Sequence, residues 1–133
     1  MEIIVFVCQV ILSIMMLVFG GVKLAYNKEQ LKAKGDGRMD YVDDLSQMNV
    51  KLIGLTEMLI GLGLILPQLI CTDLDYLIPL ASLGAVLTMI GAVIIHIKRK
   101  DDLQAIMINM IIMLIAVVIL YGKISNLSTI ISC

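Results

Sequence analysis

Residues 49–70 read NVKLIGLTEMLIGLGLILPQLI, and the fold turns on that stretch. It is predominantly apolar, and its only charged residues are Lys51 near its start and Glu57 inside it. A helix that crosses the hydrocarbon core needs about 20 predominantly apolar residues. A barrel strand would alternate apolar and polar over roughly ten residues, and no such alternation is present. A membrane helix is therefore predicted over residues 49–70, and it carries a carboxylate into the bilayer. Three more runs have the same character. Residues 3–24 hold no charge before Lys23, residues 76–97 hold the single ionisable group His96, and residues 103–121 hold no charge but include Asn109.

The composition asks for the same solvent. The 133 residues are 60% hydrophobic and 16% charged, with a mean hydropathy of +1.02. An ordinary globular domain has about 45–50% apolar and about 25% charged residues. A soluble fold of this length could not hide so much apolar surface. A net charge of −1 offers no basic face for nucleic acid, and disorder requires low hydrophobicity. The expected fold class is all-α, a transmembrane four-helix bundle forming a single membrane domain over residues 1–133.

The connections fit this plan. Residues 71–75 form a short polar turn, and residues 98–102 a second one. Pro67 falls near the end of the second predicted span and Pro79 near the start of the third, where proline is best tolerated. The segment 25–48 is long, and Gly35-Asp36-Gly37 breaks it. Its flanks, 27–34 and 40–48, are either two short helices or a solvated loop. Tyr41, Val42, Leu45 and Met48 would let the second flank lie on the membrane surface.

Lys28, Lys32, Lys34 and Arg38 occupy the long loop, and Lys98, Arg99 and Lys100 the third loop. Outside these loops and the spans, only Lys123 remains. The positive-inside rule then predicts a cytoplasmic long loop, with N-out/C-out topology. Tyr76 and Tyr121 would sit at the outer interface and Tyr26 at the inner one. The first run begins Met1-Glu2 and meets its first positive charge only at Lys23, the reverse of a signal peptide, so it is read as a retained helix.

Polar groups inside a bilayer are costly and face the bundle interior. Gln9, Ser13, Met16, Gly20 and Lys23 step by helical spacing along one stripe, and Gly54, Glu57 and Gly61 share a face. Ala81, Ala85, Thr88, Ala92 and His96 form a third face, and Ala105, Asn109 and Ala116 a fourth. Such faces of small residues let helices approach closely. Glu57 lies roughly 12 Å into its span and Asn109 roughly 9 Å, at 1.5 Å per residue. Both belong to the half that ends in Lys23 and His96, so a small polar chamber open to the cytoplasm would gather all four.

Each residue also has a plainer role. Lys23 could snorkel, Asn109 could only tie helices together, and His96, beside Lys98, could be interfacial. Glu57 resists dismissal, because an unpaired carboxylate there must take a proton or find a partner. Lys51 reads as a flanking anchor.

Cys8, Cys71 and Cys133 all fall on the outer side in this topology. A disulfide between Cys71 and Cys133 is permitted there, and the odd count leaves at least one thiol free. No Cys-x-x-Cys pair is present. One histidine without a neighbouring ligand makes no metal site. No phosphate loop, catalytic triad order or nucleotide fingerprint is found. The ten methionines read as filler between helices.

Phe19-Gly20-Gly21-Val22-Lys23-Leu24 resembles the Gly-x-x-Lys-Leu end of the first helix in DoxX-like membrane proteins. Gly54-Leu55-Thr56-Glu57 with Gly61-Leu62-Gly63-Leu64-Ile65-Leu66-Pro67 resembles their second helix, and Gly91-Ala92-Val93-Ile94-Ile95-His96 the end of their third. Order and spacing agree from about residue 5 to 121. The chain departs in its long charged first loop and in lacking an early proline in the fourth helix. The resemblance implies a compact four-helix bundle. It also implies partners, since some members look like quinone-linked subunits of sulfur-compound oxidation and others like members of stress-response or assembly complexes. The resemblance, with the compactness of the chain, implies the bacterial inner membrane.

The leading expectation is an accessory subunit rather than a stand-alone enzyme. It would bind another membrane or redox protein, or a hydrophobic molecule such as a quinone, and homo-oligomers remain open. No redox cofactor is encoded. Glu57 would be the central carboxylate, Lys23 its counter-ion, His96 a proton-exchanging group and Asn109 an orienting amide. The alternative is a small proton-coupled multidrug-type transporter that uses Glu57, although Lys23 beside it would compete with a cationic substrate. A quinone-reactive enzyme would need its electrons from elsewhere.

Overall fold

The computed structural model describes residues 2–35, 42–43, 45–70 and 76–125, and every regular element among them is helical. Five α-helices follow one another: α1 (Glu2–Ala25), α2 (Lys28–Gly35), α3 (Gln47–Ile70), α4 (Leu77–Arg99) and α5 (Leu103–Ser125). All but α2 are long and apolar enough to cross a membrane. The turn at 71–75, Tyr41, Cys71 and Cys133 lie outside the described residues.

The four long helices form two layers. α1 packs chiefly on α3 and α4 chiefly on α5, while thinner α3–α4 and α1–α5 seams join the pairs. Side chains between the layers include Leu12, Met16, Leu64, Ile78, Ala85, Ile112, Ala116 and Ile119, all essentially buried. Residues just as apolar cover the outside, among them Ile3, Ile14, Leu59, Leu80 and Leu114. An exterior as greasy as the core suits hydrocarbon rather than water. Hydrophobicity cannot then drive helix on helix, so close packing and hydrogen bonds must.

The α1–α3 contact shows how. A Cβ at Gly20 would stand 2.6 Å from the Gly54 carbonyl oxygen, and one at Gly54 would stand 2.8 Å from Lys23 Cβ. Only glycine permits backbones this close. Along the same line Ser13 Oγ donates to the Gly61 carbonyl at 2.8 Å, and Gln9 Nε2 donates to the Leu64 carbonyl. The stripe read from spacing, Gln9, Ser13, Met16, Gly20 and Lys23, is buried throughout. So are Gly54, Glu57 and Gly61.

On α4, Ala85 and His96 of the expected face are buried, together with Ile78, Ser82 and Met89. Ala81 is half-buried against the core, and Thr88 and Ala92 are half-buried because they line an open space between the layers. Ser82 joins the buried face with its hydroxyl satisfied on its own helix, donating to the Ile78 carbonyl at 2.9 Å. On α5, Ala116 is buried as expected, together with Ile112, Ile119 and Gly122, while Ala105 and Asn109 are half-buried.

Within the long connection the first flank is a helix of its own, α2. Asn27 Oδ1 accepts from the Gln30 amide at 2.8 Å, and Gln30 Oε1 accepts from the Asn27 amide at 3.0 Å. This reciprocal capping box starts α2. Of the second flank, Val42 and Asp43 lie in one tight turn and Gln47 and Met48 already belong to α3, while residues 40, 41 and 44 lie outside the described residues. Ser46 begins α3, its Oγ accepting from the Asn49 amide at 3.0 Å. Leu31, Val42 and Val50 form a second small core, flanked by Val22, Tyr26 and Leu45. Lys32 pairs with Asp43 at 2.8 Å. Lys51 does more than flank its helix: its Nζ donates to the Leu24 and Tyr26 carbonyls at 2.6 and 2.9 Å. It thereby satisfies the carbonyls left open at the end of α1.

A candidate site between the two layers

Between the layers, the end of the bundle remote from α2 is closed. Gly122 lies against Val5, Gly63 against Ala81 and Gly84 against Ile60. Toward the α2 end the layers part around a cavity of about 820 Å³. All four polar residues singled out from the sequence, Lys23, Glu57, His96 and Asn109, line it. Tyr26, Leu31 and Lys34 reach it from the α2 side, and Thr56 and Thr88 add hydroxyls. Its other walls are aliphatic, including Val18, Ile53, Leu87, Ile108 and Ile112. A Cβ at Gly91 would meet nothing within 4 Å, so this glycine opens directly on the void.

Lys23 and Glu57 form the centre. Lys23 Nζ donates to both carboxylate oxygens of Glu57, at 2.9 and 2.7 Å. The two side chains are 8% and 4% exposed, so the pair is formed out of water. Two buried charges are tolerable together because each satisfies the other, and removal of one strands its partner. The close approach of Gly20 and Gly54 brings the backbones near enough for the pair to form. Lys23 is therefore turned inward and does not snorkel.

His96 is buried, at 5% exposed, rather than interfacial. Its Nδ1 lies 2.8 Å from Asp101 Oδ2. A carboxylate oxygen accepts, so Nδ1 is the nitrogen that carries the proton. The local backbone makes this contact possible. Lys100 adopts a left-handed conformation, φ 58°, and turns the chain back at the end of α4. The Asp101 amide then donates to the His96 carbonyl at 3.0 Å. Arg99 Nε sits 3.3 Å from the same carboxylate oxygen. Asp101 was not singled out by sequence reasoning. It lies five residues beyond His96, a spacing that points to nothing in a straight helix, and only the left-handed turn brings it back.

Asn109 does not bridge helices among the described residues. Its Nδ2 donates to the Ala105 carbonyl of its own helix at 2.8 Å, and Thr88 likewise bonds Gly84 at 2.8 Å. Cys8 is half-buried with a free thiol. Among the described residues, no group of three His, Cys, Asp or Glu is placed to hold a metal ion.

Four long apolar helices in two layers, with a polar-centred cavity between them, define a helical integral membrane protein. Residues 7–119 match the model of the DoxX-like family, and the chain belongs to that family. No curated protein and no solved structure matches it.

Proposed function

We propose that this protein is an accessory or partner subunit whose inter-layer cavity binds a small hydrophobic molecule, with a quinone as the first ligand to test. One observation carries the reading: the cavity of about 820 Å³ joins aliphatic walls to Lys23, Glu57 and His96. Ligand sites are commonly about 300–1,000 Å³, apolar, with a few convergent polar groups. In this reading Glu57 is the central carboxylate and Lys23 is its counter-ion and orients it. His96, set by Asp101, exchanges a proton or donates to a ligand carbonyl. Asn109 keeps its side-chain oxygen as an acceptor. Electrons for any redox step come from a partner protein.

The same reading places the single membrane domain in a bacterial inner membrane, with N-out/C-out topology and the α2 end in the cytoplasm. Lys28, Lys32, Lys34, Lys98, Arg99 and Lys100 crowd that end, as the positive-inside rule requires. An external thiol reagent should then label Cys133 unless it is bonded to Cys71. The transporter alternative has less support, because Lys23 already occupies the carboxylate that a cationic substrate would need.

The test is titration of a short-chain quinone into purified protein in nanodiscs, read as thermal stabilisation. At one hundred times Kd, a ligand that binds only the folded state adds about 2.7 kcal/mol. Stabilisation of wild type that is lost in Gly91→Phe, which fills the cavity, supports quinone binding. Equal shifts in both proteins, or none in wild type, overturn it.

A further inference from the structure

We infer that the cavity takes a single-chain amphipath with an acidic head, its head at the α2 end and its tail between the layers. This rests on the reading that the cavity accepts a hydrophobic molecule, and it adds the charge and orientation of that molecule.

Three observations converge. The first is a polarity gradient along the cavity. Tyr26, Lys34 and His96 lie at the α2 end, whereas Met89 and Ile112 lie deeper. His96 and Met89 are two turns apart on α4, roughly 10 Å at 1.5 Å per residue. An amphipath matches such a gradient, and a molecule that is polar or apolar throughout does not.

The second is charge. Glu57 neutralises Lys23 in the middle of the cavity, and Asp101 sits against His96 and Arg99. Lys34 has no carboxylate partner among the described residues, and its Nζ rests 4.7 Å from the centre of the Tyr26 ring. The ring orders the ammonium without cancelling its charge. Lys34 is thus a positioned cation at the mouth of the cavity, which suits a carboxylate or phosphate head.

The third is access. Val18, Leu52 and Leu87 line the cavity and are also 54%, 53% and 61% exposed on the outside of the bundle. The cavity therefore communicates with the hydrocarbon around the helices. A tail can enter sideways from the bilayer, with no need for the head to cross it.

Photolabelling in nanodiscs of zwitterionic lipid tests this. The probes are palmitic acid with a diazirine near the chain end, the corresponding alcohol, and a lysophosphatidic acid with the same tail. Adducts are mapped by mass spectrometry. In wild type, at least one acidic probe should label Met89 or Ile112 roughly threefold to fivefold more than the alcohol, the range of an exposed charge pair. Whichever acid dominates identifies the head as carboxylate or phosphate. Lys34→Gln, a surface change, should equalise acid and alcohol. Gly91→Phe should abolish labelling by every probe. Equal labelling by acid and alcohol in wild type overturns the acidic head and leaves the cavity reading intact, while an acid preference that survives Lys34→Gln overturns the assignment of that head to Lys34. Absence of cavity adducts from any probe, or labelling unchanged by Gly91→Phe, overturns the cavity reading itself.

Discussion

The two layers of this bundle hold together by different means. In the α1–α3 layer, polar side chains reach across: Ser13 to the Gly61 carbonyl, Gln9 to the Leu64 carbonyl, Lys23 to Glu57, and Lys51 to the end of α1. In the α4–α5 layer the polar side chains turn inward on their own helices. Ser82 bonds Ile78, Thr88 bonds Gly84 and Asn109 bonds Ala105. The first layer is locked by directional bonds over a glycine contact. The second is held by van der Waals packing of Ile, Leu, Met and Ala, which tolerates small shifts. The cavity lies where the two meet, so a fixed ion pair faces a wall that can adjust to an occupant.

The ion pair offers the hardest way to break this contrast. Lys23→Met should cost about 3–5 kcal/mol of stability, because Glu57 is left buried without its partner. The double variant Lys23→Met, Glu57→Gln should recover much of that loss. Denaturation in mild detergent measures both, and a double variant no better than the single would contradict a buried pair whose members satisfy each other.

Glycine substitutions come next. Gly54→Ala places a methyl group against Lys23 Cβ and the Gly20 carbonyl, and overpacking of this kind costs about 1–3 kcal/mol. Gly91→Ala meets open space and should be neutral or gain about 0.5–1 kcal/mol from helix propensity. Opposite signs for the same substitution would mark one layer as tight and the other as open. Hydroxyl removal should sort the layers more gently. Ser13→Ala loses a bond between helices worth about 0.6 kcal/mol, while Thr88→Val loses only a bond within its own helix and should move stability less.

The smallest effect belongs to the cap formed by α2. The Lys32 ammonium holds the Asp43 carboxyl below its ordinary value of 3.8. A carboxyl lowered on folding contributes stability above its unfolded value, and that contribution is lost as pH falls through the folded one. The protection of α2 amides from hydrogen exchange, referenced to their intrinsic rates at each pH, should therefore fall modestly on acidification below about pH 4, and the Lys32→Gln variant should lose most of this pH dependence.

Much of the layer contact was legible in the chain. A stripe at 9, 13, 16, 20 and 23 is a helical face whatever it packs against, and small residues with polar groups mark that face as inward in a bilayer. The partner of each group was less legible. Lys51 lies 27 residues from Leu24, and no spacing rule connects them. Asp101 reaches His96 only because Lys100 turns left-handed. The starts of α2 and α3 were encoded in Asn27-x-x-Gln30 and Ser46-x-x-Asn49, helix-start signals that the long polar segment obscured. The α4 face was legible apart from Ser82, which counts as polar in the sequence and is satisfied on its own helix in the fold.

The sequence by itself settled the solvent, the four spans and the polar groups each span carries. These follow from local quantities: run length, hydropathy and the 3.6-residue period. Only the tertiary structure decided that Lys23 turns to Glu57, that Asp101 holds His96, that Asn109 bonds its own helix and that the layers part at one end. Those outcomes depend on how close two backbones come. That distance is set by which residues meet across the interface, and no single helix contains the information.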